Sequence, residues 1–146
     1  GGNFYGYMGD MSRVFSIGRL PEQAYTAHQT CIEIQEEIAA MAKPGTVCED
    51  MYNKAIEIVT KAGFADYFMG VDQKAKFIGH GIGLEINEMP VLAPRMKQEL
   101  EPGMVFALEP KIVLPGIGPV GIENSWAVTT DGLEKLTLCK EEIIEL

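Results

Sequence analysis

Apolar positions recur with helical spacing over the first half of the chain and in short, turn-bounded runs over the second. Ala24, Ala27, Cys31, Ile34, Ile38 and Met41 follow one another at steps of three and four, which predicts an amphipathic helix. Pro21 suits its first position and Pro44-Gly45 ends it. The other face, with Glu33, Gln35, Glu36 and Glu37, reads as a solvated surface, and His28 reads as a structural or surface residue. Thr46 and Glu49 have the spacing of a capping box for a second helix. Val47, Met51, Ala55, Ile58 and Ala62 mark its buried stripe, and Gly63 stops it. A short connection between two helices favours packing of both on one face of a sheet.

The flanking regions read as strands. Residues 3–18 suggest two strand pieces on either side of Asp10, an acid that strand propensity disfavours. From Phe77 onward the strand segments are Gly83 to Ile86, Met104 to Leu108, Ile112 to Leu114, Val120 to Glu123, Ser125 to Thr129 and the tail. Glu101-Pro102-Gly103, the Pro115 to Pro119 run and Asp131-Gly132 supply turns. Closely spaced strands with hairpin turns predict an antiparallel sheet. The class is α+β, with helices collected on one side of a curved, mostly antiparallel sheet.

Composition narrows the function classes. With 146 residues, 47% of them hydrophobic, the chain reads as one globular domain. A net charge of −9 argues against nucleic acid and anionic membrane surfaces as partners. No apolar run reaches the ~18 residues of a membrane span. Cys31, Cys48 and Cys139 lack metal-type spacing and fit a reducing cytoplasm. The chain opens Gly1-Gly2-Asn3 without Met, and the expectation is a piece of a longer protein.

Chemistry concentrates where glycine and proline frame ionisable groups. His80 stands between Gly79 and Gly81, with Gly83 beyond, a setting read as giving the imidazole access. Asp10 follows Gly9, Glu109 precedes Pro110, and Glu123 follows Gly121-Ile122. One imidazole and three carboxylates suit a catalytic divalent metal such as Mn, Co or Zn. Spacing alone leaves a structural role open for each.

Four blocks in order carry a family resemblance: Gly6 to Phe15, Gly79 to Pro90, Leu100 to Pro110, and Gly121 to Asn124 with Val128 to Gly132. The chain resembles the pita-bread (M24) metallopeptidases over nearly its whole length, and most of all Xaa-Pro aminopeptidase and Xaa-Pro dipeptidase (prolidase). The resemblance implies a partial pita-bread catalytic domain over residues 1–146, the C-terminal part of that domain. It implies two divalent ions per complete site, held by two Asp, one His and two Glu. Asp10 then corresponds to the bridging Asp, His80 to the imidazole ligand, Glu109 to the Glu that also assists the attacking water, and Glu123 to the bridging Glu. The family's other Asp falls upstream of Gly1, so one ion is expected on these residues, with little activity from them alone.

The resemblance also exposes departures. Lys76 and Asn87 occupy positions where proline-specific members carry His. Asn87 can hydrogen-bond a substrate carbonyl but cannot shuttle a proton near neutral pH. Lys76 can supply positive charge to a substrate. Gly121 stands where an Arg is common, and Asn124 where an Asp is common. The implied activity is hydrolysis of short peptides with proline second, by a cytoplasmic enzyme that is a homodimer at full length. A metal-free, creatinase-like C–N hydrolase and a non-catalytic peptide- or protein-binding module are the alternatives.

Overall fold

The computed structural model describes residues Gly1–Leu146. A hairpin of β1 (Gly2–Phe4) and β2 (Tyr7–Gly9) leads through β3 (Phe15–Ser16) into two helices, α1 (Glu22–Met41) and α2 (Cys48–Lys61). Then come β4 (Gly79–Gly81), β5 (Glu88–Leu92), β6 (Val105–Leu108), β7 (Lys111–Leu114), β8 (Gly118–Gly121), β9 (Asn124–Val128), β10 (Leu133–Lys135) and β11 (Ile144–Glu145). The main sheet has the order β10-β9-β6-β4-β5 and every pair in it is antiparallel. β7 and β8 form a separate hairpin, and β11 runs parallel to β3. No helix is long and apolar enough to cross a membrane.

The helices pack as their stripes predict, with informative exceptions. α1 contacts β7 and β8, while α2 contacts β5, so apolar side chains of both helices share one core with Phe106, Leu108, Ile112 and Trp126. Pro21 sits one position earlier than expected, as the extended N-cap of α1. The expected capping box does not form. Thr46 Oγ1 instead accepts from the Lys43 amide, and Glu49 bonds the Arg95 amide and the Lys97 ammonium. The first amides of α2 need no side-chain cap, because the Cys48 and Glu49 N–H groups donate to the Gln98 and Met96 carbonyls. Cys48 and Val59 are buried on α2, whereas Ala62 is exposed at its C-cap. Met41, the last residue of α1, is 37% exposed.

The sheet also corrects the expected strands: β5 lies outside them, and the segment expected over Val120 to Glu123 is a strand only as far as Gly121. Residues 83–86 form a bend rather than a strand, closed by Gly83 N–H donating to the Glu85 carbonyl. The strand begins earlier, at Gly79, because Gly79 and Gly81 let β4 sit between two close neighbours. A Cβ on Gly79 would meet the Leu92 side chain at 2.9 Å, and one on Gly81 would fall on the backbone of Glu88 and Met89. Those glycines therefore serve strand packing around His80, and the imidazole they frame is 5% exposed, so the setting gives enclosure more than open access.

His28 ties α1 to the C-terminal segment. Its Nε2–H donates to the Glu141 carbonyl over 2.6 Å, while Nδ1 is buried without a partner. Burial pulls its pKa below the ordinary value, the Glu141 carbonyl opposes this, and the Arg13 guanidinium pulls it further down. The unfolded chain thus binds the proton more readily than the folded one. The stability that neutral His28 contributes is complete above its unfolded pKa of about 6.5 and lost as pH falls through the lower folded value. The melting temperature should fall between roughly pH 7.5 and pH 5.5, and His28→Gln should flatten that slope. An identical slope in both proteins would assign the acid sensitivity to other groups.

Candidate metal centre

The candidate ligands come from four different places in the chain, three of them beside strand ends and one within a strand. His80 lies in the middle of β4, which pairs with β5 on one side and β6 on the other. Its Nδ1–H donates to the Gly81 carbonyl over 3.1 Å. That contact fixes the tautomer and leaves the Nε2 lone pair free to bind a cation. Glu109 follows β6 directly, and its amide donates to the Ile78 carbonyl over 2.8 Å. Glu109 Oε1 is 3.6 Å from His80 Nε2.

Asp10 and Glu123 reach the same place by a second route. Ser12 and Glu123 form an isolated antiparallel bridge, each amide donating to the other's carbonyl over 3.3 Å. Arg13 Nη1 reinforces it by donating to the Ser12 and Glu123 carbonyls, both at 2.8 Å. The Ser125 hydroxyl donates to the Asp10 carbonyl over 2.8 Å. The result is one donor atom each from Asp10, His80 and Glu123, all within 4.8 Å of one another.

The electrostatics suit a cation. Burial raises the Glu123 pKa, the Ser12 hydroxyl lowers it through a 2.6 Å hydrogen bond, and the neighbouring Asp10 and Glu109 carboxylates raise it again. Carboxylates crowded in this way repel one another unless positive charge sits between them. Oxygen-rich ligation with a single imidazole matches the preferences of divalent Mn, Co and Zn. The donor set therefore fits a divalent metal.

Several neighbours were not singled out in the sequence. Ser12 and Arg13 fall inside the block around Asp10, where adjacency was the available signal. Lys111 is the clearest case. Its ammonium lies 2.8 Å from Glu109 Oε2, and it sits directly across the β7–β8 hairpin from Gly121. A Cβ at Gly121 would meet the Pro110 carbonyl oxygen at 2.5 Å and Lys111 Cα at 2.8 Å. The hairpin therefore demands glycine at 121 and places its cation on the facing strand. Asn124 also has a local explanation. Its Oδ1 accepts from Arg13 and Thr137, while its Nδ2 donates to Glu141 Oε1 over 2.9 Å. An aspartate there would set two carboxylates against each other.

The remaining predicted residues divide. Asn87 lines a hollow of about 380 Å³ together with His80, Phe77, Met89 and Val91. Glu109 and Glu123 open onto a neighbouring cavity of about 250 Å³ that also carries Ser12 and Lys111. Lys76 is exposed and lines a different cavity, with Tyr52, Phe68 and Pro94 beside α2. The structure brings Asp10, His80, Glu109 and Glu123 together, sets Asn87 in the hollow it shares with His80, and leaves Lys76 outside both cavities.

Known proteins are similar to this chain in sequence and in fold. An Xaa-Pro dipeptidase of Pyrococcus furiosus is 32% identical over 138 residues, which are 94% of this chain and 38% of that protein. An Xaa-Pro dipeptidase of Lactobacillus helveticus is 35% identical over 132 residues, 90% of this chain and 34% of that protein. Among solved structures, an X-Pro aminopeptidase from Thermotoga maritima superposes with a TM-score of 0.88 at 30% identity, covering 97% of this chain and 38% of that one. The chain thus spans little more than a third of the length of these relatives, and within that span it has the pita-bread fold. Residues 1–130 match the profile of metallopeptidase family M24, and the chain belongs to that family.

Proposed function

We propose that this chain forms the ligand-bearing part of a metal-dependent exopeptidase that cleaves short peptides with proline at the second position. The observation that carries the reading is the meeting of Asp10, His80 and Glu123 donors within 4.8 Å, with Glu109 Oε1 3.6 Å from the imidazole. The names of the relatives supply the substrate class. A metal-free C–N hydrolase or a passive binding module gains nothing from crowded, partly buried carboxylates around one imidazole, and the relatives' names favour neither.

Divalent ions bound there supply Lewis-acid polarisation of the scissile carbonyl and lower the pKa of water. The protein's own groups do the rest. Glu109 accepts the proton of the attacking water. Lys111 balances the charge of Glu109, and Ser12 holds Glu123 through one carboxylate oxygen, leaving the other oxygen free. Asn87 donates a hydrogen bond to a substrate carbonyl from the rim of the hollow it shares with His80. Phe77, Met89 and Val91 give that hollow an apolar wall suited to a proline ring. Lys76, exposed and apart from this hollow, acts on the substrate only through long-range charge.

Four donors make the shell of one ion, of which Mn²⁺ is the first choice. A second ion needs a further carboxylate beyond these four donors. We also propose a cytoplasmic location, supported by three free cysteines, and a homodimer, supported by the family resemblance. Titration calorimetry of these 146 residues with Mn²⁺ should give about one equivalent. Protein in which that further carboxylate completes the site should hydrolyse an Ala-Pro peptide at least about tenfold faster than Ala-Ala, the scale expected of a pocket shaped for one side chain. Absence of metal binding would sink the metal centre. Binding without a preference for proline would sink the substrate class alone.

A further inference from the structure

Gln35 was expected on the solvated face of α1, among three glutamates. It is instead 1% exposed and makes three hydrogen bonds in the core. Its Nε2 donates to the Leu108 carbonyl over 2.6 Å and to the Ile122 carbonyl over 3.2 Å. The Trp126 indole N–H donates to its Oε1 over 2.9 Å. The orientation of the amide is forced by its partners. An indole N–H can only donate and two carbonyls can only accept, so the oxygen must face Trp126 and the NH₂ must face the carbonyls.

The two carbonyls belong to the residues immediately before Glu109 and Glu123. Leu108 ends β6, and Ile122 lies between β8 and β9, where the regular ladder gives way to the site. Both residues are buried, at 0% and 2% exposure, so solvent does not compete for these bonds. One side-chain amide from the helix layer thus ties down the carbonyl ahead of each candidate glutamate ligand, at Leu108 in addition to its pairing with Asn124 across β6 and β9. The peptide plane that contains a residue's amide also sets where its Cα and side chain begin. A tie on the preceding carbonyl therefore sets the starting position of each carboxylate.

We propose that Gln35 is a positioning residue for the metal centre: it registers Glu109 and Glu123 against each other by holding both preceding carbonyls from α1. This rests on the metallopeptidase reading above and adds a residue from the helix layer, remote from any substrate. Groups that orient metal ligands are worth about 10–100-fold in metal affinity.

The test compares Mn²⁺ affinity by calorimetry, metal-free melting temperature, and the visible absorption of the Co²⁺ form. Four proteins are needed: wild type, Gln35→Met, Trp126→Phe and Met51→Ala. Gln35→Met keeps the length of the side chain and removes both donors. Met51→Ala opens the same core from α2 without touching either carbonyl, and so reports simple destabilisation. Gln35→Met should raise the Kd for Mn²⁺ about tenfold or more and shift the Co²⁺ bands. Met51→Ala should lower the melting temperature and leave both readouts within about twofold of wild type. Trp126→Phe frees the amide oxygen while leaving the two carbonyl bonds, and should raise the Kd by a smaller factor. Wild-type affinity and an unshifted Co²⁺ spectrum in Gln35→Met would overturn the proposal, as would equal weakening in Met51→Ala. Should Gln35→Met fail to fold, Trp126→Phe decides, and an unchanged Kd there overturns it. A wild-type chain that binds no metal would instead overturn the metallopeptidase reading beneath it.

Discussion

His80→Ala is expected to weaken Mn²⁺ binding by at least about 100-fold and to abolish the proposed peptide cleavage in protein with a complete site. Outer groups that only orient a ligand are worth about 10–100-fold, so removing the ligand itself sets that as a floor. His80 is the one imidazole in a cluster whose other donors are carboxylate oxygens. Its loss removes the nitrogen donor that shifts such a set from Mg²⁺ and Ca²⁺ toward transition metals. The backbone should tolerate the change. β4 is held by pairing on both sides, and alanine at 80 keeps every amide in place. The metal-free melting temperature should therefore move by no more than about 5 °C. A variant that binds Mn²⁺ as wild type does would mean the metal is held elsewhere. A variant that collapses without metal would mean that His80 is a core residue first.

Periodicity revealed the helices because each buries a single stripe. Ala24, Ala27, Cys31, Ile34 and Ile38 line the core as their spacing predicts. Two of the exceptions arise from partners distant in sequence. Gln35 looks like a surface residue beside Glu36 and Glu37, and only the arrival of Leu108, Ile122 and Trp126 makes it a core residue. The Thr46–Glu49 spacing is right for a capping box, but the Glu49 amide donates to the Met96 carbonyl and the Thr46 amide to the Lys43 carbonyl, which leaves both side chains free for other bonds. In the site, the carboxylates next to glycine and proline stood out because a charged residue at a strand end or bend calls for a reason. The cation that balances them did not. Lys111 follows Glu109 by two, a spacing with no signal of its own, and its proximity to Gly121 is a matter of hairpin register. Strand starts near Gly79 were hidden for a similar reason. A glycine pair reads as flexible until the neighbours that crowd it are known.

Glu109→Gln is expected to separate metal binding from catalysis in the proposed reaction. Glutamine keeps the shape of the side chain and one oxygen able to face a cation, but it cannot take up a proton. Metal affinity should fall by roughly tenfold, as for loss of one charge in a set that retains Asp10, His80 and Glu123. Turnover at saturating metal should fall by about 10²–10⁴-fold, the usual contribution of a positioned general base. The surroundings favour this role for Glu109 over Glu123. Glu123 is 7% exposed and has one oxygen engaged by the Ser12 hydroxyl, which holds it as a fixed ligand. The Glu109 side chain is 19% exposed, and its ion pair with Lys111 is one that solvent can reach, because the lysine side chain is 39% exposed. An accessible carboxylate beside an ammonium can receive a proton and release it again. Measuring turnover and bound metal on the same samples resolves the two effects. If the lost activity follows metal occupancy alone, Glu109 is a ligand and nothing more, and the base must be sought elsewhere in the protein.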